Sequence, residues 1–295
     1  MRKYERSSRW IVWIGVFACL ITLPTRGQTE EEEEIPWSVN EGTMIGVGGY
    51  NLMDSYLSPG TETKYTGPGV RIVDERMKMT HLANHRISRQ QIISVDGAKT
   101  HNAAGSATEF AGFVDYTLAY HYHLPKLYPD LKLLAGAAVH GMGGFIYNTR
   151  NSNNPASGKG DLDLNLSLMG IYQWRIKGYP LTIRYQYTMP FAGLMFSPHY
   201  GQSYYEIFDL GNSGGIVKFN SFHNKFAMKH YITVDFPIHS FTVRAGFLQS
   251  SYRTDVNDLQ CHIISRTFLI GLVKEFVSFG GRHARDTRRI RSSYY

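Results

Sequence analysis

The stretch DLDLNLSLMGIYQWRI, residues 161–176, alternates between two kinds of side chain. Apolar residues occupy the even positions: Leu162, Leu164, Leu166 and Leu168. Polar residues occupy the first odd positions: Asp161, Asp163, Asn165 and Ser167. This period of two predicts an extended strand, because successive side chains of a strand point to opposite faces. At about 15 residues, the strand is nearly three times as long as is usual in soluble proteins.

The same alternation recurs along the chain, in residues 108–124, 131–147, 179–189, 226–236 and 241–250. Strands of about 10 residues or more are typical of membrane barrels, with apolar side chains on lipid and polar ones facing the lumen. Aromatic residues gather near strand ends, where an interfacial girdle is expected: Tyr120, Tyr122, Tyr172 and Trp174. The sequence therefore predicts an all-β, transmembrane, antiparallel up-and-down β-barrel.

The connections between these strands set the expected strand count. Short turns at 125–130, 176–180 and 237–240 suit the periplasmic end, and longer polar segments suit the outer end. This assignment predicts about twelve strands within a barrel at 42–279: 42–54, 70–79, 87–96, 108–124, 131–146, 161–176, 179–189, 203–210, 216–222, 226–236, 240–250 and 262–276. The pair around 211–215 is the least regular, so ten or fourteen strands are also possible.

The N-terminus resembles an export signal. Basic residues precede the apolar run WIVWIGVFACLITL at 10–23, which is too short to span a bilayer comfortably. We expect a signal peptide at 1–27, cleaved near Gly27, and Sec-dependent export to the outer membrane of a Gram-negative bacterium. A lipid anchor on Cys19 is the alternative, but Phe17 fits poorly with the small residues that such a site requires.

Charge is concentrated at the two ends of the chain. Residues 28–41 form an acidic flexible arm, and residues 280–295 form a basic tail that could lie against anionic lipid or another envelope component. Loss of residues 1–27 lowers the net charge from +7 to about +3, and no basic patch for nucleic acid remains. The expected partners are outer-membrane lipid and the barrel assembly machinery.

The strand positions predicted to face the lumen carry charges of both signs: Asp115, His121, Asp163, Arg175, Arg184, Lys229, Asp235 and Arg244. Such charges can pair across a barrel. A selective pore usually carries an excess of one sign, which this set lacks. The pattern favours a plugged, cross-braced interior.

Candidate chemistry is sparse. Ser203 with His199 or His223 could form an acyl-transfer pair at the outer rim, with Asn220 or Asn224 orienting the imidazole. Packing roles for these loop residues are favoured. His121 and His123 lack the further ligands of a metal site, and Cys261 is the only cysteine after residue 27, so we expect no metal and no cofactor.

From about residue 196 onward, the segments SPHYGQSYYEIFDLGN, KFNSFHNKF, ITVDFPI, YRTDVNDLQ and ISRTFLIGLVKEF resemble an uncharacterised outer-membrane barrel family of Bacteroides-type bacteria, classed as a domain of unknown function. The resemblance covers about 40–279 and implies an outer-membrane location, with no catalytic residues to transfer. The predicted function is therefore non-enzymatic: envelope structure, surface interaction or restricted passage. The alternative is a lipid acyl hydrolase of the phospholipase or lipopolysaccharide deacylase type.

Overall fold

The described chain forms a closed β-barrel. A computed structural model describes residues 37–58, 64–238, 241–277 and 291–295. One short helix, α1 (Tyr204–Phe208), accompanies twelve strands. The strands are β1 (Trp37–Asp54), β2 (Tyr65–Met79), β3 (Ile87–Asn102), β4 (Thr108–His123), β5 (Leu131–Asn148), β6 (Ala156–Ile176), β7 (Tyr179–Phe196), β8 (Val217–Ser221), β9 (Lys225–Ile238), β10 (Phe241–Val256), β11 (Leu259–Val277) and β12 (Arg291–Ser292).

Ten of these strands make the wall. β1 to β7 and β9 to β11 pair antiparallel in sequence order, and β11 pairs with β1 from Ser38↔Val277 to Asp54↔Cys261. This pairing closes the sheet and removes its free edges. The start of β1 and the end of β11 meet at one end of the barrel, here called the terminal end. The opposite end, called the loop end, holds residues 197–224 between β7 and β9.

The expected count of twelve wall strands is wrong, and the count of ten that the sequence left possible is observed. The predicted strand 203–210 is a turn and helix α1, because Ser203 caps the helix and forms a reciprocal capping box with Glu206. The predicted strand 216–222 is the short β8, whose described pairing is with the part of β7 nearest the loop end. Among the described residues, no helix is long and apolar enough to cross a membrane.

The ends of the chain differ in part from expectation. β1 begins at Trp37, inside the segment predicted as a flexible arm, because residues 38–41 pair with β11. Residues 291–295 of the predicted tail return to the terminal end, where β12 pairs parallel with β1. The predicted signal peptide and residues 28–36 and 278–290 lie outside the described residues.

Strand β6 displays the alternation of the deciding stretch. Its four leucines are each about half exposed on the outer surface of the barrel: Leu162, Leu164, Leu166 and Leu168. The intervening Asp163 and Ser167 are only 2% and 1% exposed, inside the barrel. The period of two therefore sorts apolar side chains outward and polar ones inward, the reverse of a soluble barrel.

Tight turns extend the strands into predicted loops. Asn257 and Asp258, with φ of 57° and 61°, join β10 to β11 between the predicted strands 240–250 and 262–276. A two-residue hairpin with both φ values positive matches the twist of the strands, and asparagine and aspartate tolerate it. Lys177 and Gly178 make the corresponding turn between β6 and β7 at the terminal end.

Three apolar layers occupy the interior. The layer nearest the terminal end contains Met77, Leu134, Met169, Ile171 and Tyr294. The middle layer contains Met44, Val73, Tyr231, Leu248 and Leu269. The layer at the loop end contains, among others, Leu52, Tyr65, Phe113, Ile146 and Tyr252. Charged residues fill the levels between them, as the inward positions of β2 show: Met77, Glu75, Val73, Arg71 and Tyr65.

Closure of the barrel depends on close contact between β1 and β11, which predicts a difference between two glycines. A Cβ on Gly271 would lie 2.0 Å from the carbonyl oxygen of Thr43, whereas a Cβ on Gly49 would meet nothing within 4 Å. We expect Gly271→Ala to destabilise the barrel by about 1–3 kcal/mol, the usual cost of overpacking. Gly49→Ala is the matched control, and equal urea unfolding midpoints in detergent for the two variants would contradict the prediction.

Candidate functional site

Four charged side chains from four strands meet inside the barrel near the terminal end. This terminal-end charge cluster consists of Glu75 (β2), Arg184 (β7), Asp235 (β9) and Arg244 (β10), all at most 1% exposed. The Glu75 carboxylate accepts hydrogen bonds from Arg184 through both of its oxygens and from Arg244 Nη1 at 3.2 Å. Arg244 also binds Asp235 in a bidentate pair at 2.6 and 2.8 Å. Two acids therefore balance two bases across the lumen.

The tail segment Arg291–Tyr295 enters this cluster. The ring of Tyr294, which is fully buried, lies with its centroid 4.7 Å from Arg244 Cζ and 5.3 Å from Arg184 Cζ. Such contacts between a guanidinium and a ring are attractive. Tyr295 Oη donates to Asp235 Oδ2 at 2.7 Å, and Lys132 Nζ donates to the main-chain oxygens of both tyrosines. The tail therefore plugs the terminal end of the lumen.

A second network crosses the barrel nearer the loop end. This central charge cluster consists of Asp115 (β4), His140 (β5), Asp161 and Asp163 (β6), and Lys225 and Lys229 (β9). Asp115 Oδ1 lies 2.8 Å from both Lys229 Nζ and His140 Nε2. Lys225 Nζ lies 2.6 Å from Asp163 and 3.0 Å from Asp161. These pairs link β4, β5 and β6 to β9 through the lumen.

Three members of this cluster could in principle hold a metal ion. His140, Asp161 and Asp163 each offer a ligand atom within 4.8 Å of the others. The ammonium group of Lys225, however, already contacts both carboxylates. Since a lysine ammonium group supplies the positive charge that a metal would bring, the donor set does not fit a resident metal ion.

A small cavity of about 50 Å³ adjoins the central charge cluster. Its lining combines charged residues of the cluster with the apolar side chains of Phe113, Met142, Ala227, Met228 and Ile263. An apolar lining with a few convergent polar groups is typical of small-molecule sites. The cavity is therefore the candidate binding site of the barrel.

The structure brings most of the predicted lumen charges together. Arg184, Asp235 and Arg244 form the terminal-end cluster, and Asp115, Asp163 and Lys229 belong to the central one. His121 is buried and its Nε2 lies 2.9 Å from Ser167 Oγ. Arg175 is the exception, because it is exposed at the end of β6, beyond the last interior layer, and lines the mouth beside Tyr295.

Sequence reasoning missed several partners of these charges. Glu75 lies between Asp74 and Arg76, so charge alone does not reveal which of the three faces inward. Lys225 precedes the predicted strand by one residue, and His140 lies on the polar parity of a predicted strand, which would have revealed it. Tyr294 and Tyr295 lie outside the alternating stretches. They reach the terminal-end charge cluster because the chain returns to the barrel, which no local sequence pattern predicts.

The residues of the predicted hydrolase hydrogen-bond to different partners. Ser203 Oγ accepts from Glu206 N at 3.2 Å and donates to Glu206 Oε2 at 3.1 Å. His199 Nε2 lies 3.2 Å from Gly214 O, and His223 Nδ1 lies 2.6 Å from Ser221 Oγ. The hydrolase stays a prediction, and no described hydrogen bond joins Ser203 to either imidazole.

Residues 197–224 pack onto the rim at the loop end. The ring of Tyr204 stacks on Phe196 and meets Tyr56 edge-on, and Tyr56 Oη donates to Gln202 O at 2.9 Å. Burial, reinforced by the nearby Tyr204, raises the pKa of the Tyr56 phenol to about 12. Tyr56 therefore stays neutral at physiological pH and donates from a partly buried position, while Tyr204 Oη accepts from Gly158 N.

Comparison with known proteins supplies the family. The model of a family described as protein of unknown function (DUF3316) matches residues 14–283. The chain belongs to this family. The resemblance to a family of unknown function is thus confirmed, while an origin in Bacteroides-type bacteria stays a prediction. No curated protein matches the sequence.

Solved structures give distant likenesses. The transport unit of the autotransporter AIDA-I from Escherichia coli has a TM-score of 0.45 at 10% identity, covering 85% of this chain and 93% of that chain. An outer-membrane channel from Pseudomonas putida F1 has a TM-score of 0.33 at 11% identity, covering 84% and 100%. At such scores, the likenesses carry no inference about activity or location.

Glu75 should be among the most sensitive residues of the interior. Glu75→Ala leaves two buried guanidinium groups short of a partner, and removal of one partner from a buried ion pair costs about 3–5 kcal/mol. Glu41→Ala is the matched control, because the Glu41–Arg76 pair is longer, at 4.0 Å, and over a third exposed. Such a surface pair contributes roughly 0.2–1 kcal/mol. Similar free energies of unfolding for the two variants would contradict the cluster's role.

Ser203 should act as a helix cap. We expect Ser203→Ala to weaken α1 by about 0.5–2 kcal/mol, the usual cost of losing such a cap. Protease susceptibility of residues 197–224 would measure this effect, with Ser213→Ala in the same segment as the control. Ester hydrolysis by the wild type that Ser203→Ala abolishes would instead revive the hydrolase.

Proposed function

We propose that the protein is a non-enzymatic outer-membrane β-barrel whose lumen is closed along its axis. In this proposal it serves the envelope as a structural or surface-contacting barrel and not as an open pore. The observation that carries the proposal is the burial of Tyr294 between the guanidinium groups of Arg184 and Arg244, where the tail closes the terminal end.

The outward face of the wall supports membrane placement. Apolar side chains about half exposed recur on successive strands, among them Ile45 and Val47, Val70 and Ile72, Leu162 to Leu168 at alternate positions, and Phe268, Ile270 and Leu272. An apolar surface of this extent on a closed barrel is costly in water and favourable against lipid tails. Exposed Tyr120, Tyr122, Tyr172 and Trp174 suit the interface near the terminal end.

The connections support an orientation. Residues 197–224 form the longest described connection and lie at the loop end, whereas β6 and β7 are joined at the terminal end by two residues. Outer-membrane barrels carry their longer loops outside the cell. The loop end therefore faces outward in this proposal, and the terminal end, with the start of β1 and the end of β11, faces the periplasm after Sec-dependent export and cleavage near Gly27.

The interior supports a closed axis. Three apolar layers alternate with the two charge clusters, and the tail segment adds a further closure. Charges of both signs are paired across the lumen and are therefore not available to select ions. Passage of water-soluble solutes along the axis would require these pairs to separate.

Planar-bilayer recording tests the closed axis. We expect no steady single-channel steps from the purified barrel, because the apolar layers, the paired charges and the tail lie across its axis. Flotation with liposomes and resistance to carbonate extraction confirm insertion, so that silence is not the result of failed incorporation. Steady conductance steps at neutral pH from the wild type would overturn the closed-lumen proposal.

Single-cysteine labelling with a membrane-impermeant maleimide tests placement and orientation in the same protein. Tyr205→Cys lies at the loop end and Leu127→Cys at the terminal end, at positions that are 62% and 72% exposed. In intact cells, Tyr205→Cys should react, whereas Leu127→Cys should react only after the outer membrane is permeabilised. The native Cys261 is buried and provides the background control.

A further inference from the structure

The hydrogen-bonded wall is interrupted between β7 and β9. The two strands pair only from Thr182↔Asp235 to Thr188↔Lys229. Closer to the loop end, β7 pairs with β8 instead, beginning at Ala192↔Ser221. Residues 189–191 of β7 thus lie opposite residues 222–228, which run from the end of β8 into β9. No described ladder joins these three residues to those seven. The described wall has a gap at this seam.

The sequence of β7 explains where the ladder stops. Pro190 has no backbone N–H to donate, so it cannot continue a ladder on that side. On the β6 side the register shifts, because Asn165 pairs with Pro190 and Leu164 with Ala192, which leaves Phe191 as a bulge. Bulges bend the strand and end local pairing. The segment MPFAG at 189–193 therefore builds the gap.

The cavity beside the central charge cluster reaches this gap. Thr188 and Pro190 line it from β7, and Lys225, Ala227 and Lys229 line it from β9. Met228 and Ser251, a cross-strand pair of the opposite, outward parity, also line the cavity. Since residues of both parities line one cavity, the cavity extends from the lumen into the wall beside β9.

The gap opens beside the apolar band. On one side of the gap, β7 pairs with Leu164 and Leu166 of β6, which are 48% and 47% exposed on the outer surface. Phe226, 48% exposed, lies at the β9 side. A molecule entering here would therefore come from the lipid and not from the aqueous lumen.

Lys229 is the charge that such a molecule would meet. Its side chain is 31% exposed, against 12% for its partner Asp115 and 2% for Lys225. Its ammonium group donates to Asp115 Oδ1 and lies 3.1 Å from His140 Nε2, which contacts the same Asp115 oxygen, so these contacts use at most two of the three ammonium donors. Three cations and three carboxylates line the cavity, so an incoming anion meets no excess of negative charge: Arg71, Lys225 and Lys229 against Asp96, Asp115 and Asp163.

We infer that the seam between β7 and β9 admits a single-chain amphiphile with an anionic head from the membrane, whose chain lies in the gap and whose head binds Lys229. This inference rests on the proposed membrane placement, since only lipid would present the ligand at the seam. The apolar edge of the gap takes the chain, and the third ammonium donor of Lys229 takes the head.

Photo-crosslinking in phosphatidylcholine nanodiscs tests the inference, with a dodecanoic acid analogue that carries a diazirine in its chain. We expect adducts on residues 188–191 and 225–229. Dodecanoate should compete for labelling, and dodecan-1-ol should compete far less. Lys229→Met should lower labelling by about tenfold or more, the loss expected for a hydrogen bond to a charged group. Lys274→Met, an exposed lysine on β11, is the matched control.

A second variant keeps the test valid if Lys229→Met folds poorly. Met228→Trp narrows the gap from outside and leaves the charge pairs intact, and it should also abolish labelling at the seam. Adducts spread evenly over the outer surface, equal competition by the alcohol, or unchanged labelling in a folded Lys229→Met protein would overturn the inference. A barrel that does not float with liposomes would instead refute the membrane placement itself.

Discussion

A buried charge inside a barrel must find its partner there, and this constraint shapes the interior of the protein. Arg184 and Arg244 are fully buried and would carry a large desolvation penalty if they were unpaired. Glu75 bridges both guanidinium groups, and Asp235 completes the balance. Glu75 comes from β2, which lies across the wall from the neighbouring strands β7, β9 and β10, so its pairs with Arg184 and Arg244 also fix the barrel's cross-section. The tail then packs on the same guanidinium groups, and the proposed closure of the lumen rests on this contact.

The wall obeys a second constraint, because main-chain groups within lipid have no water to bind. Closure of β1 on β11 satisfies it for the two strands that would otherwise be edges. The seam between β7 and β9 is a longer interruption of the described wall ladders than the two-residue break at 67–68 between β2 and β3. Pro190 removes one donor that such a separation would expose. The interruption also coincides with the cavity, and for this reason we assign it a binding role.

The sequence predicts the candidate site in part. Period-two alternation identified which parity faces the lumen, and it therefore named Arg184, Asp235, Arg244, Asp115, Asp163 and Lys229 as interior charges. It did not name their partners, because pairing across a lumen joins residues with no fixed spacing along the chain. Glu75 and Arg184 are 109 positions apart. Arg175 has the correct parity but lies past the end of the filled interior, which alternation cannot reveal.

By itself, the sequence determined the barrel architecture, the outward apolar face and the antiparallel order, because these follow from a local repeat along each strand. Tertiary structure decided the count of ten wall strands, since Ser203 and Glu206 cap a helix where alternation suggested another strand. It also decided the fate of the tail and the gap beside Pro190. Both depend on contacts between segments far apart in the chain, whose energies arise only once the barrel has closed.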